Sequence, residues 1–179
     1  RFAAATGTLA LYARANGELV IRSRAPRSSG PITLSWLGAS PGKWTAGPST
    51  GRTVGHCMGG LSRATCELGS KTFHSFRRPN LYPGVDLVLH GKGGQLEYDL
   101  ELQPGASVEN LRFELNGAVA PSLTPAGRIV AGDFVQWRPV AYQFVDGARR
   151  PVECAVRRVS THVFAFAVTG PYRRDLPLV

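Results

Sequence analysis

The residues of this chain whose spacing best suits chemistry are four carboxylates in the run 85–102. There Asp86, Glu97, Asp99 and Glu101 alternate with Val85, Leu87, Leu89, Leu96, Tyr98, Leu100 and Leu102. Successive side chains of a strand point to opposite faces, so the carboxylates share one face with Val88, His90 and Gln95 while the apolar set faces a core. Hard oxygens grouped in this way can hold calcium, and a close carboxylate pair can do acid and base work. Closing the hairpin symmetrically on Lys92-Gly93 sets His90 opposite Gln95, Val88 opposite Glu97 and Asp86 opposite Asp99. Like charges directly opposite one another destabilise a sheet unless a cation lies between them or one carboxylate keeps its proton. A positive group is therefore expected beside this face, and arginine is the leading choice. Calcium at Asp86, Glu97, Asp99 or Glu101 is the one cofactor the sequence suggests, and a carboxylate-based hydrolase is the most remote function it leaves open.

Other reactive residue types are sparse. His56, Cys57, Cys66 and His74 follow none of the compact pair spacings of zinc sites. His90 and His162 stand singly in strand-like runs, where a solvated or packed ring is the usual role. The chain has no Gly-x-Ser-x-Gly elbow, no His-Glu-x-x-His pair, no haem-type Cys-x-x-Cys-His and no phosphate-binding glycine loop. These absences lead to the expectation that the protein is not an enzyme.

The elements that must position these residues are short strands. With 21 glycines and 13 prolines among 179 residues, apolar periodicity never lasts long enough for a helix. Asn16-Gly17 between 8–13 and 18–23 predicts a hairpin with a type I′ turn. Residues 32–37 alternate through Leu34 and Trp36 as a strand, and 38–51 read as a long polar loop. Further strands are expected at 72–76, 111–115, 128–131, 134–138, 141–145, 152–159 and 162–168, separated by Asn116-Gly117, Gly132-Asp133 and Asp146-Gly147. The predicted fold is an all-β antiparallel β-sandwich of roughly a dozen short strands with little or no helix, in one domain over 1–179. Trp36 and Trp137 are expected in or near the core, and Trp44, in the polar loop, on the surface.

The net charge is +9, and of the 21 basic residues all but Lys43, Lys71 and Lys92 are arginine. They are dispersed in pairs such as Arg77-Arg78 and Arg149-Arg150, without a basic arm or recognition motif, so no specific nucleic-acid partner is expected. No run approaches the length of a membrane-spanning helix. The opening Arg1 reads as a processed or partial chain.

Two groups of motifs together resemble a known family. They are Leu81-Tyr82-Pro83-Gly84-Val85-Asp86 followed by Gly94-Gln95-Leu96-Glu97-Tyr98-Asp99 and Pro104-Gly105-Ala106, then Pro139-Val140-Ala141-Tyr142-Gln143, Arg150-Pro151-Val152-Glu153 and the terminal Pro177-Leu178-Val179. Nearly the whole chain is similar to the domain of unknown function that precedes β-propeller (SBBP-type) repeats in secreted bacterial surface proteins. The resemblance implies a β-sandwich, an extracellular or cell-envelope location and no known enzymatic activity. In a secreted chain, Cys57 and Cys66 flanking a reversal are expected to bridge, which would contribute roughly 2 to 3 kcal/mol. That leaves Cys154, which shares a strand face with Val152 and Val156 and is expected to be buried.

These readings converge on a non-catalytic structural or interaction module, a subunit of a surface assembly or filament formed by strand pairing. The extended segment Leu176, Pro177, Leu178 and Val179 is its candidate contact with a protein partner or another copy. The alternative is a module for carbohydrate or anionic polysaccharide, with Trp44 as an aromatic platform near arginines.

Overall fold

In a computed structural model, the backbone is described at residues 2–5, 9–23, 28–58, 65–93 and 95–179, and side chains at 9–23, 28–53, 69–93 and 95–179. These residues form β1 (Phe2–Ala5), β2 (Leu9–Ala13), β3 (Leu19–Ser23), β4 (Ile32–Trp36), β5 (Thr45–Ala46) and β6 (Ser49–Met58). There follow β7 (Thr65–Phe73), β8 (Ser75–Tyr82), β9 (Val85–Lys92), β10 (Gln95–Leu102), β11 (Arg112–Asn116) and β12 (Ser122–Leu123). The last are β13 (Ile129–Ala131), β14 (Phe134–Gln136), β15 (Ala141–Val145), β16 (Ala148–Val152), β17 (Cys154–Arg158) and β18 (Val163–Val168), and the single helical turn described is Val108–Asn110.

A seven-stranded sheet in the order β1-β2-β3-β4-β11-β18-β17 and a four-stranded sheet in the order β10-β9-β8-β5 make the two main layers. All their pairings are antiparallel. One hydrophobic cluster joins them: Leu34, Phe113 and Phe164 from the first sheet and Leu81, Leu87 and Leu89 from the second all belong to it. The architecture is the expected all-β, sandwich-like fold. Local alternation explains the strands that build it, since β4 and β9 bury every second residue.

Several local expectations change. The Asn16-Gly17 turn is not type I′: only Gly17 of the two has positive φ, and Gly17 N–H donates to the Arg14 carbonyl while Arg14 N–H donates to Glu18, which makes a three-residue loop with glycine at the left-handed position. Asp146-Gly147 does form the two-residue turn with positive φ at both residues, joining Val145 to Ala148. The expected loop 38–51 contains β5 and the start of β6, because Thr45 and Ala46 pair with Arg77 and Phe76. The expected strand 72–76 is divided at His74 between β7 and β8, and 152–159 is divided at Glu153, where the chain leaves the β15–β16 hairpin and joins the seven-stranded sheet.

Candidate functional site

The hairpin β9–β10 places its apolar face as expected, with Val85, Leu87, Leu89 and Leu102 buried and Leu96, Tyr98 and Leu100 partly buried. Its register is two residues away from the symmetric closure. Lys92 pairs with Gln95, His90 with Glu97, Val88 with Asp99, and Asp86 with Glu101. A slip of two keeps every side chain on its face and changes only its partner. The like-charge pair is thus Asp86 and Glu101, and the expected cation is Arg77 of β8. Arg77 Nε donates to Asp86 Oδ2 at 2.8 Å, and its guanidinium also donates to Glu101. Asp99 is held instead by His90, whose Nε2 stands 3.0 Å from Asp99 Oδ2.

Asp86 has a second task. Its Oδ1 accepts the Asn80 N–H at 2.7 Å, where Asn80 takes a left-handed φ of 49° in the irregular register between Arg78 and Tyr82. The Tyr82 hydroxyl lies 2.9 Å from the Leu37 carbonyl and 3.1 Å from that of Arg112, and shares its one proton between them. Burial pushes the Tyr82 pKa up to about 12, with the Arg112 backbone contact offsetting part of that rise. The Tyr-Pro-Gly-Val-Asp motif therefore locks a bulge and ties the two sheets together. The four carboxylates are not brought to one centre, and among the described residues no group of three His, Cys, Asp or Glu stands where it could hold a metal ion.

Between the sheets lies a cleft of about 940 Å³, within the size range of ligand sites. It is lined by Leu96, Tyr98 and Leu100 of β10, by residues between Phe134 and Tyr142, and by residues of the seven-stranded sheet such as Leu34 and Phe166. The Tyr98 hydroxyl is buried beside the Gln136 side chain, and burial raises its pKa while Gln136 partly counters the rise. Neither atom completes a hydrogen bond of full geometry. At the rim, Trp137, Val140 and Phe144 are 60%, 68% and 59% exposed. The Arg128 guanidinium lies 5.2 Å from the centre of the Trp137 ring and that of Arg149 3.8 Å from the Tyr142 ring, both within cation–π range.

The tryptophans exchange the positions expected for them. Trp44 is buried, because its indole N–H donates to the Arg14 carbonyl at 2.8 Å and draws the polar loop onto the core. Trp137 lies one residue past the end of β14, follows the alternation onto the outward face of Val135, and is exposed. Trp36 is in the core as expected.

The terminal segment is docked on its own chain. Leu178 is buried and exchanges backbone hydrogen bonds with Leu102, and Val179 does so with Tyr142. Buried Gln143 holds the approach to it: its Nε2 is 2.7 Å from the Arg173 carbonyl and 3.2 Å from those of Leu176 and Pro177, while its Oε1 accepts the Arg173 N–H at 2.9 Å. Sequence reasoning missed Gln143 and the rim. The one signal was that β15 has apolar residues on both faces, Ala141 and Val145 on one and Tyr142 and Phe144 on the other.

Cys57 and Cys66 are directly opposite in the β6–β7 register, and their side chains lie outside the described residues. Cys154 is a free thiol, half-buried in the cleft wall, and its pKa is raised by burial.

Compared with known proteins, residues 7–179 match the family model described as Domain of unknown function (DUF7948). Neither a curated protein nor a solved structure matches the chain.

Proposed function

The chain belongs to that family of domains of unknown function, and on this premise we propose that it is a non-catalytic interaction module that binds a protein partner along the cleft between its sheets. The observation that carries the reading is the apolar rim formed by Trp137, Val140 and Phe144 beside an open cleft. A large exposed apolar patch with aromatic and arginine residues costs solubility unless a partner covers it. The carboxylates most suited to chemistry are engaged structurally, Asp86 and Glu101 by Arg77 and Asp99 by His90, which supports a role without catalysis.

The setting belongs to the same proposal. An extracellular or cell-envelope protein, placed before propeller repeats and contributing to a surface assembly, is supported by the motif resemblance and by the opposed positions of Cys57 and Cys66, which suit an oxidising compartment. A second reading, an anionic polysaccharide ligand, is favoured by the arginines over Trp137 and Tyr142.

Photo-crosslinking tests the first reading. A benzoylphenylalanine at position 137, on cells that produce the protein, is expected to form a discrete protein adduct, with a probe at exposed position 22 forming none. Equal adducts from both positions would refute it. Quenching of Trp137 fluorescence by heparin at low salt, abolished in Arg149→Ala, would transfer the site to the polysaccharide reading.

A further inference from the structure

We propose that the outward face of the β15–β16 hairpin, where it borders the mouth of the cleft, binds a polypeptide segment in which acidic residues flank apolar ones. This rests on the partner-binding reading above and names the chemistry of the partner.

Residues opposite one another in an antiparallel pair share a face of the sheet. Tyr142 is opposite Pro151 and Phe144 is opposite Arg149, so these four stand on one side of the hairpin, while Ala141, Gln143 and Val152 are buried on the other. Val140, one step before the strand, continues the outward row of Tyr142 and Phe144. Val140 and Phe144 are exposed and Tyr142 between them is half-buried. A two-stranded ribbon that meets water on this side would ordinarily carry polar residues there. The terminal segment does not cover them. Val179 exchanges backbone hydrogen bonds with Tyr142, so its path runs beside β15 in the plane of the hairpin. Strand side chains stand roughly perpendicular to that plane, so a chain on this path pairs with the edge of β15 and leaves the outward face free.

Two arginines give the face its sign. Arg149 rests over the Tyr142 ring and Arg128 over the exposed Trp137 ring, and neither has a carboxylate partner among the described residues. A guanidinium lying on a ring keeps N–H groups free at its edge and has given up part of its side-chain freedom before a ligand arrives, which favours capture of a carboxylate. The same arginines disfavour a second copy of the chain, because two such faces would set like charges against each other on molecules of net charge +9. Ring geometry favours a polypeptide over a polysaccharide. Tyr142 and Phe144 meet edge to face, with planes at 89° and centroids 5.8 Å apart, and one side of Tyr142 is taken by Arg149. No broad aromatic floor is left for a sugar ring, whereas the projecting Val140 and Phe144 can pack between apolar side chains.

The probe is a glutamate-rich random copolymer of glutamate and tyrosine, titrated calorimetrically, with polyglutamate of the same length and heparin as comparison ligands. The copolymer should bind about tenfold or more tighter than polyglutamate, because only it supplies apolar side chains beside the carboxylates. Arg149→Glu should weaken it by about tenfold or more and Phe144→Ser by about threefold or more. Arg22→Glu, the same charge change at an exposed position of the seven-stranded sheet, should leave it within about twofold. All three positions are exposed, and thermal unfolding like that of the parent shows that the variants fold. Equal affinity for copolymer and polyglutamate, or equal losses in Arg22→Glu and Arg149→Glu, would overturn the proposal in favour of attraction to net charge alone. Heparin binding tighter than the copolymer, and lost in Arg149→Glu, would overturn it in favour of a polysaccharide. Either result leaves the partner reading to the adduct at position 137, whose absence would overturn that reading and this one together.

Discussion

Removing the Asp86 carboxylate should destabilise the protein without touching any binding activity. In Asp86→Ala, the Asn80 N–H loses its acceptor at 2.7 Å and Arg77 loses the partner at 2.8 Å. A hydrogen bond to a charged group is worth about 1.5 to 3 kcal/mol when buried, but the Arg77 side chain is 40% exposed, so its share falls to about 1 kcal/mol. The Asn80 bond, which fixes a left-handed residue in a bulge, contributes about another 1 to 2 kcal/mol. The sum, roughly 2 to 3 kcal/mol, corresponds to a fall in Tm of about 4 to 12 °C for a domain of this size. Urea unfolding and calorimetry measure both quantities. The companion variant Arg77→Met leaves Asp86 and Glu101 opposed without a cation, so Glu101→Gln should recover part of its loss. The reasoning fails if Asp86→Ala stays within about 0.5 kcal/mol of the parent, or if Glu101→Gln does not rescue Arg77→Met. A rise in Tm on adding calcium, lost in Asp86→Ala, would show that a metal and not Arg77 neutralises this face.

Four further outcomes are expected. Gly42→Ala would place its Cβ 2.2 Å from Nη1 of the buried Arg78 guanidinium, which donates to the Pro79 and Ser40 carbonyls, so it should cost at least about 1 kcal/mol by urea unfolding. Gln143→Ala removes the acceptor of the Arg173 N–H and the donor to the Arg173, Leu176 and Pro177 carbonyls, and so releases the terminal segment; hydrogen exchange should show Leu178 and Val179 losing protection before the core strands do. The Tyr82 phenol keeps its proton to about pH 12 in the fold and to about 10 when unfolded, so its contribution is complete below pH 10 and lost as pH rises toward 12. Tyr82→Phe should flatten that decline in unfolding measured against pH. Finally, alkylation of the denatured, unreduced protein should modify Cys154 alone, and modification of all three cysteines would show that Cys57 and Cys66 are not bridged.

Much of the fold was legible because its signals are local. The alternation of 85–102 names its core face, since side-chain direction in a strand repeats every two residues whatever the strand pairs with. The need for a cation beside Asp86 was legible for the same reason. The identity of Asp86's opposite residue was not, because a register with Lys92 opposite Gln95 and the symmetric closure keep the same faces. The placement of Trp44 and Trp137 was illegible for another reason. Trp44 is drawn inward by a carbonyl 30 residues away, and Trp137 shares the face of Val135, which packing leaves outward.

The sequence by itself thus determined an all-β chain, the inward face of each alternating strand and the cationic demand of one acidic stripe. Those are properties of neighbours along the chain. Only the tertiary structure decided that Arg77 meets that demand, that Leu178 pairs with Leu102 at the end of β10, and that Trp137, Val140 and Phe144 line one cleft with Leu96, Tyr98 and Leu100. Each of these depends on contacts between residues far apart in the chain, where the stability of a pairing comes from the whole packed arrangement and no short run of residues encodes its partner.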